Sequence, residues 1–189
     1  MSPKIEIFPS EDARKKIGKI WETRLPNSKV VAIAPGSRWF TKRWPVQYYN
    51  DLIQKLTAQH ISIVLIGDEQ DRTLAIEQAE TVLNLIGRTT LLELAELLRR
   101  CDLLISNDSA PIHIASAFDT FILAIFGPTT RELGFFPWSR NSTVIENKGL
   151  ACRPCGLHGG NRCPKKHFKC MLEITPQRVY EEAVKRLDI

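Results

Sequence analysis

Five short apolar runs, rich in β-branched residues, recur along this chain at positions 30–34, 61–67, 82–86, 103–106 and 121–126, separated by stretches with helical spacing of apolar residues. A run that is apolar at nearly every position must be covered on both faces. Strands of this kind alternating with helices predict an α/β fold, a doubly wound parallel sheet of Rossmann-like type, with residues 143–146 as a candidate sixth strand. In such sheets a ligand sits outside the carboxyl ends of the strands, where the strand order reverses. The loops at 35–45, 67–71, 87–90, 107–111 and 127–131 are therefore where chemistry is expected.

The intervening helices carry recognisable signals. Tyr49, Leu52, Ile53 and Leu56 make one apolar stripe over 46–59. Thr90 with Glu93 three residues later reads as a capping box before Leu91, Leu94, Ala95 and Leu98. A further helix is expected over 72–80 and another from Ser109. Thr175 and Pro176 predict the cap and first position of a closing helix with its stripe at Val179, Tyr180, Ala183, Val184 and Leu187. Near the start, the extended residues 5–9 precede a helix of about ten residues holding Ile17, Ile20 and Trp21, broken by Leu25-Pro26-Asn27-Ser28.

With 189 residues, 43% hydrophobic and 25% charged, the chain has the material for one domain with a sizeable core. No apolar run approaches the roughly 20 residues that span a bilayer, and Met1-Ser2-Pro3-Lys4 opens no signal-peptide pattern, so a cytoplasmic protein is expected. The net charge of +5 suits anionic partners. Its basic residues look scattered apart from Lys42-Arg43, Arg99-Arg100 and Lys165-Lys166, and with no interleaved aromatics a nucleic-acid partner is not expected.

Among the loops, Ser106-Asn107-Asp108-Ser109-Ala110-Pro111-Ile112-His113 stands out as a strand end running into a helix start. Asp108 or Ser109 can cap that helix, Pro111 fits its first turn, and Ser109 and His113 share a face. Free amides, a hydroxyl and an imidazole at one helix N-terminus form a corner suited to phosphate. The same residues also read as an ordinary cap beside a half-buried histidine. In Pro35-Gly36-Ser37-Arg38-Trp39-Phe40-Thr41-Lys42-Arg43-Trp44-Pro45, a glycine that permits close approach joins hydroxyls and cations able to hold a diphosphate, although P-loop spacing is absent. Trp44 reads as a core anchor. Asp71 can accept from sugar hydroxyls or open the next helix. In Gly127-Pro128-Thr129-Thr130 the proline reads as a turn and Thr129 as a candidate phosphate contact.

Cys152-x2-Cys155-x7-Cys163-x6-Cys170, with His158 and His167 interleaved, offers soft ligands for a structural metal, but the second half lacks knuckle spacing. Reduced packing thiols are the alternative, and whether these residues hold a metal is open at this point. Cys101 reads as a small core residue.

Taken together, the 35–45 loop, the Asn107–His113 corner, Phe126-Gly127-Pro128-Thr129 and the cysteine tail with Cys163-Pro164 resemble glycosyltransferase family nine, the ADP-heptose:lipopolysaccharide heptosyltransferases. The resemblance implies the C-terminal, donor-binding half of a two-domain GT-B enzyme: residues 1–28 as interdomain connector and 29–189 as a nucleotide-sugar domain with a cysteine-rich segment at 150–171. It implies that Lys42 approaches the donor diphosphate with Ser37 and Thr41 nearby, that Asp71 takes the ribose and Thr89 lies near adenine. Asp108, Ser109, Ala110 and His113 would close around phosphates and sugar, with alanine at 110 where glycine is common. The catalytic base and acceptor site would belong to an N-terminal acceptor domain, so this half alone would transfer little. The implied partners are ADP-heptose, that domain and the lipopolysaccharide core acceptor, with contact at the inner membrane and no further cofactor. The reading set against it is a non-catalytic module whose cysteines hold a metal while its basic face docks nucleic acid or protein.

Overall fold

A computed structural model describes residues 5–25, 29–77, 79 and 81–189. Its centre is a six-stranded sheet in the order β3-β2-β1-β4-β5-β6, formed by β1 (Val30–Ala34), β2 (Ser62–Leu65), β3 (Val82–Asn84), β4 (Leu103–Asn107), β5 (Phe121–Phe126) and β6 (Ser142–Glu146). All five pairings are parallel. The order reverses between β1 and β4, where Ile33 is registered with Ile105 and Ala34 with Ser106. The doubly wound sheet expected from the apolar runs is the fold found.

Because successive side chains leave a strand on opposite faces, each buried run feeds two cores. Val31, Ile33, Ile63, Leu65, Ile105, Leu123 and Ile125 point to one, covered by α2 (Val46–Thr57) and α6 (Pro176–Leu187). Val30, Ala32, Val64, Leu104, Ile122, Ala124 and Phe126 point to the other, with α1 (Glu11–Arg24), α3 (Leu91–Arg100) and α4 (Ala110–Ala115). A short α5 (Lys169–Leu172) closes the cysteine-rich tail.

The cap signals at Thr90 and Thr175 are realised: Thr90 Oγ1 accepts from Glu93 N–H while Glu93 returns to Thr90 N–H, and Thr175 accepts from Arg178 N–H. Helix α1 is longer than expected, at 14 residues, because Ser10 caps it and Ile17 is fully buried. It lies against α3, with Lys16 Nζ 2.9 Å from Glu93. The expected break at Pro26, Asn27 and Ser28 and the opening Met1–Lys4 segment fall outside the described residues.

Among the described residues, the helix expected over 72–80 does not form. A single 3-10 turn, Glu69–Thr73, is closed by an Asp68–Asp71 capping box and ends at Leu74 in extended backbone. Leu74 and Ile76 both face the core, an i,i+2 spacing that fits an extended segment and not a helix. Asn50 of α2 then takes the Ala75 carbonyl and the Glu77 N–H, which a helix would have needed for itself. Residues 78 and 80 lie outside the described set.

Glu93 serves both its own cap and Lys16 of α1, so the box joins two helices. Thr90→Ala is expected to cost about 1 kcal/mol, measured as a shift of the urea midpoint at unchanged slope; an unchanged midpoint would mean that the cap contributes nothing here.

Candidate functional site

The loop leaving β1 would be free to wander were it not for one buried amide. Asn107, at the end of β4, is 0% exposed. Its Nδ2 donates to the carbonyls of Pro35 (2.8 Å) and Gly36 (3.2 Å), and its Oδ1 accepts from Trp44 N–H at 3.0 Å. Trp44 is the anchor expected, 1% exposed, with its indole donating to Ile174 O at 2.8 Å. Both ends of the loop are thereby fixed, and Arg43 Nε ties its middle by donating to Ser37 O at 2.7 Å.

Within this loop a 3-10 turn, Phe40–Lys42, turns Lys42 inward. Lys42 Nζ lies 2.6 Å from Asp108 Oδ2, and the two side chains are only 8% and 4% exposed. Thr129 Oγ1, fully buried, donates to the same oxygen at 2.6 Å. Two charges taken this far from water need such added hydrogen bonds, since desolvation otherwise offsets the attraction.

An open cavity of about 620 Å³ faces this pair, at the point where the strand order reverses. That volume is in the range of small-molecule sites. Of the residues singled out in the sequence, Ser37, Lys42, Asp71, Thr89, Asp108, Ser109, Ala110 and His113 all line it. Thr41 does not; its hydroxyl accepts from Gly160 N–H at 2.8 Å and its N–H donates to Gly160 O at 2.9 Å, which pins the tail instead. Nor does Thr129 face the cavity, since its hydroxyl is spent on Asp108.

The capping expected of Asp108 and Ser109 is also absent. Ser109 is the cap residue of α4 but makes no side-chain bond to it, its hydroxyl lying 3.3 Å from Asn107 O and 3.2 Å from Ser106 Oγ. Helix α4 has six residues, so its dipole is slight and the fixed positive charge at the corner is that of Lys42.

Asp71 is pressed against two glycines. A Cβ on Gly36 would fall 2.1 Å from the Asp71 carboxylate oxygens, and one on Gly67 would fall 2.6 Å away, so glycine at both positions lets these two loops converge around Asp71. Burial raises the Asp71 carboxyl above its ordinary range; the Asp68 N–H, which donates to it at 3.1 Å, opposes this, and the Asp68 charge adds to it. His113 is moved the other way. Burial holds its imidazole below the usual value, with the Asp108 charge opposing and Lys42 reinforcing.

An apolar wall completes the cavity, from Trp39, Leu91, Leu94, Ile114 and Phe135. Leu91 and Leu94 belong to the stripe legible in the sequence, but Phe135 arrives from the loop after β5 and no pattern marks it. Asn107 lay within a recognised motif; its role as a staple depends on where the 35–45 loop returns.

The four tail cysteines and Cys101 are all free thiols. Among the described residues, no group of three or more His, Cys, Asp or Glu side chains is arranged to hold a metal ion. Burial and the neighbouring Cys152 and Cys163 raise the Cys155 thiol, and burial pushes Cys170 up to about 11. Two hydrogen bonds fold the tail onto the site: Cys155 N–H donates to Pro128 O at 2.9 Å, and the Arg153 side chain donates through Nη2 to Thr129 O at 2.8 Å.

The strand order and the cavity at its reversal define a Rossmann-like domain with a pocket at the switch point. Residues 5–166 match the model of glycosyltransferase family 9 (heptosyltransferase), and the chain belongs to that family. Lipooligosaccharide heptosyltransferase 2 of Campylobacter jejuni subsp. jejuni serotype O:6 is 32% identical over 165 residues, which cover 83% of this chain and 51% of the relative. The Escherichia coli ADP-heptose LPS heptosyltransferase II structure superposes with a TM-score of 0.76 at 25% identity, over 98% of this chain and 53% of that one. A glycosyltransferase family 9 structure from Veillonella parvula gives 0.79 at 20% identity, over 97% and 53%, and supports the fold alone. The chain thus spans about half the length of the curated relatives it matches.

Ionised Asp71 is less favourable in the folded chain than in the unfolded one, because its folded carboxyl titrates above the unfolded value. Asp71→Asn keeps an acceptor for the Asp68 N–H and removes that penalty, so at neutral pH it is expected to melt at or above the parent's midpoint by circular dichroism. A clear drop would mean that the ionised form has a stabilising partner.

Proposed function

We propose that this chain is the donor-binding half of a heptosyltransferase, holding ADP-heptose while an N-terminal acceptor domain presents the lipopolysaccharide core acceptor. The observation that carries the reading is Lys42, a nearly buried cation that lines the switch-point cavity while paired with Asp108, whose carboxylate Thr129 also holds. Family membership and the name of the E. coli neighbour support the choice of sugar nucleotide.

In this reading the diphosphate lies against Lys42 and the Ser109 hydroxyl, the ribose hydroxyls donate to Asp71, and the base rests between Thr89 and the wall of Leu91, Leu94 and Ile114. In the transfer step an acceptor hydroxyl oxygen bonds to the anomeric carbon from the face opposite the leaving group. The bond from that carbon to the β-phosphate oxygen breaks, ADP departs with the electron pair, and the hydroxyl proton passes to a base of the N-terminal domain. Charge grows on the leaving diphosphate, and a prepositioned ammonium lowers the energy of that state because it needs no reorganisation to meet it. His113, held neutral by burial, can take up a proton when a second anion arrives beside Asp108.

Titration with ADP, followed by amide NMR, is expected to shift the 36–42, 67–71 and 108–113 loops. Lys42→Met is expected to weaken binding by at least about tenfold, a single charged hydrogen bond being worth that much. Because Lys42→Met strands Asp108, the double variant Lys42→Met/Asp108→Asn, which buries no charge, supplies the folded control. If the parent chain shows no saturable shifts with ADP or ADP-sugars, the reading fails.

The His113 imidazole provides a second test. Its pKa should lie below about 6.5 in the free chain and rise when ADP binds. A pKa unmoved by ADP would place the phosphates elsewhere.

A further inference from the structure

Counted against the acidic residues, the net positive charge is concentrated in one span. From Asn147 to Leu172 there is no Asp or Glu, but there are Lys148, Arg153, Arg162, Lys165, Lys166 and Lys169. The remainder of the chain has twenty basic and twenty-one acidic residues, so its entire positive excess resides in this one span.

Little of that charge is used internally. Arg153 is consumed, its side chain 3% exposed and engaged by Glu146 and the Thr129 carbonyl. The flanking acids are occupied as well, Glu146 by Arg153 and Glu173 by the Asn147 amide. Arg162, Lys165, Lys166 and Lys169 are exposed, and none of them forms an ion pair among the described residues. Lys165 and Lys166 stand at a turn closed by Lys166 N–H to Cys163 O at 3.0 Å.

Large apolar side chains stand among these cations. Leu157 is 57% exposed, Leu172 43% and Phe40 53%. Phe40 stacks on Phe168 with ring centroids 5.7 Å apart, and the adjacent Thr41 is bonded to Gly160, so Phe40 belongs to the same surface.

We propose that the acid-free span, with Phe40, is a docking surface for an anionic phospholipid bilayer. Lysine ammonium groups attract the headgroup layer while leucine and phenylalanine side chains enter its boundary with the acyl chains. A nucleic acid fits less well, since it calls for free aromatic faces and forked guanidinium groups. Here the one aromatic ring inside the span other than the histidines, Phe168, is stacked on Phe40, and three of the four unpaired cations are lysines. No helix among the described residues is long and apolar enough to cross a membrane, so surface attachment is the mode this geometry offers.

The position of the surface gives it a use. The span is bonded to the Lys42 turn through Thr41 and to the β5 loop through Pro128, and His158 packs on Phe135 of the cavity wall with centroids 5.3 Å apart. A bilayer held there lies beside the cavity mouth; that this serves a lipid-anchored acceptor rests on the function proposed above, whereas the binding itself does not.

The test is co-sedimentation of this chain with vesicles of phosphatidylcholine alone and of phosphatidylcholine mixed with phosphatidylglycerol. The chain is expected to pellet with the mixed vesicles only, and to be released by salt. Lys165→Glu/Lys166→Glu/Lys169→Glu should bind at least tenfold more weakly, each cation near an anionic leaflet being worth about fivefold. Arg14→Glu/Lys15→Glu/Lys19→Glu, which removes the same charge from exposed positions of α1, should bind like the parent, and Leu157→Ser should weaken binding at constant charge. No binding to mixed vesicles, equal loss in both triple variants, or tighter binding to an oligonucleotide duplex through the same lysines would overturn the proposal. ADP titrations run in parallel separate the two readings: vesicle binding without ADP binding defeats only the donor site, and the reverse defeats only the docking surface.

Discussion

One buried side-chain amide carries the architecture of the site. Asn107 sits where β4 ends and satisfies three backbone groups of the loop that leaves β1, so two parallel strands that meet only through their ladder are joined again beyond it. Without that amide the carbonyls of Pro35 and Gly36 and the N–H of Trp44 would be buried without partners, each a cost of about 1–3 kcal/mol. Lys42 can reach Asp108 only because the loop is held at both ends. The ion pair follows from the amide, and the shape of the cavity follows from the pair.

The second dependence runs through the cysteine-rich tail. Its contribution to the site comes from two sets of hydrogen bonds: one grips the Lys42 turn through Gly160, the other grips Pro128 and Thr129 through the Cys155 N–H and the Arg153 guanidinium. Lys42 and Thr129, the two partners of Asp108 Oδ2, are therefore both braced from outside the sheet. The tail does this with main-chain groups of Cys155 and Gly160 and with the Arg153 side chain, none of which cysteine spacing reveals.

What the sequence makes legible is what local periodicity determines. Fully apolar runs gave the strands and their parallel pairing, and cap residues such as Thr90 and Thr175 marked helix starts to within a residue. The cavity-lining residues were largely legible too, because strand-end loops of such a sheet must converge. The failures share a cause. Asp68 and Asp71 truly open a helical turn, but Asn50, from another helix, captures the backbone that would have continued it. Asp108 and Thr129 look like a cap and a phosphate contact until the 35–45 loop brings Lys42 to the Asp108 oxygen that Thr129 also meets. Phe135 has no periodicity to betray it. In each case the deciding partner lies far away along the chain, where patterns of three or four residues carry no information.

The bond from the Trp44 indole to the Ile174 carbonyl joins residues 130 positions apart. It fixes an order of events during synthesis. When β1 and its loop leave the ribosome, the segment that locks Trp44 has yet to be translated, and non-local contacts must wait for their partner. The sheet can begin to assemble from its N-terminal strands while Lys42 still swings free. The corner around Lys42 and Asp108 is thus among the last parts of the domain to mature, because its loop is locked only when the C-terminal segment arrives.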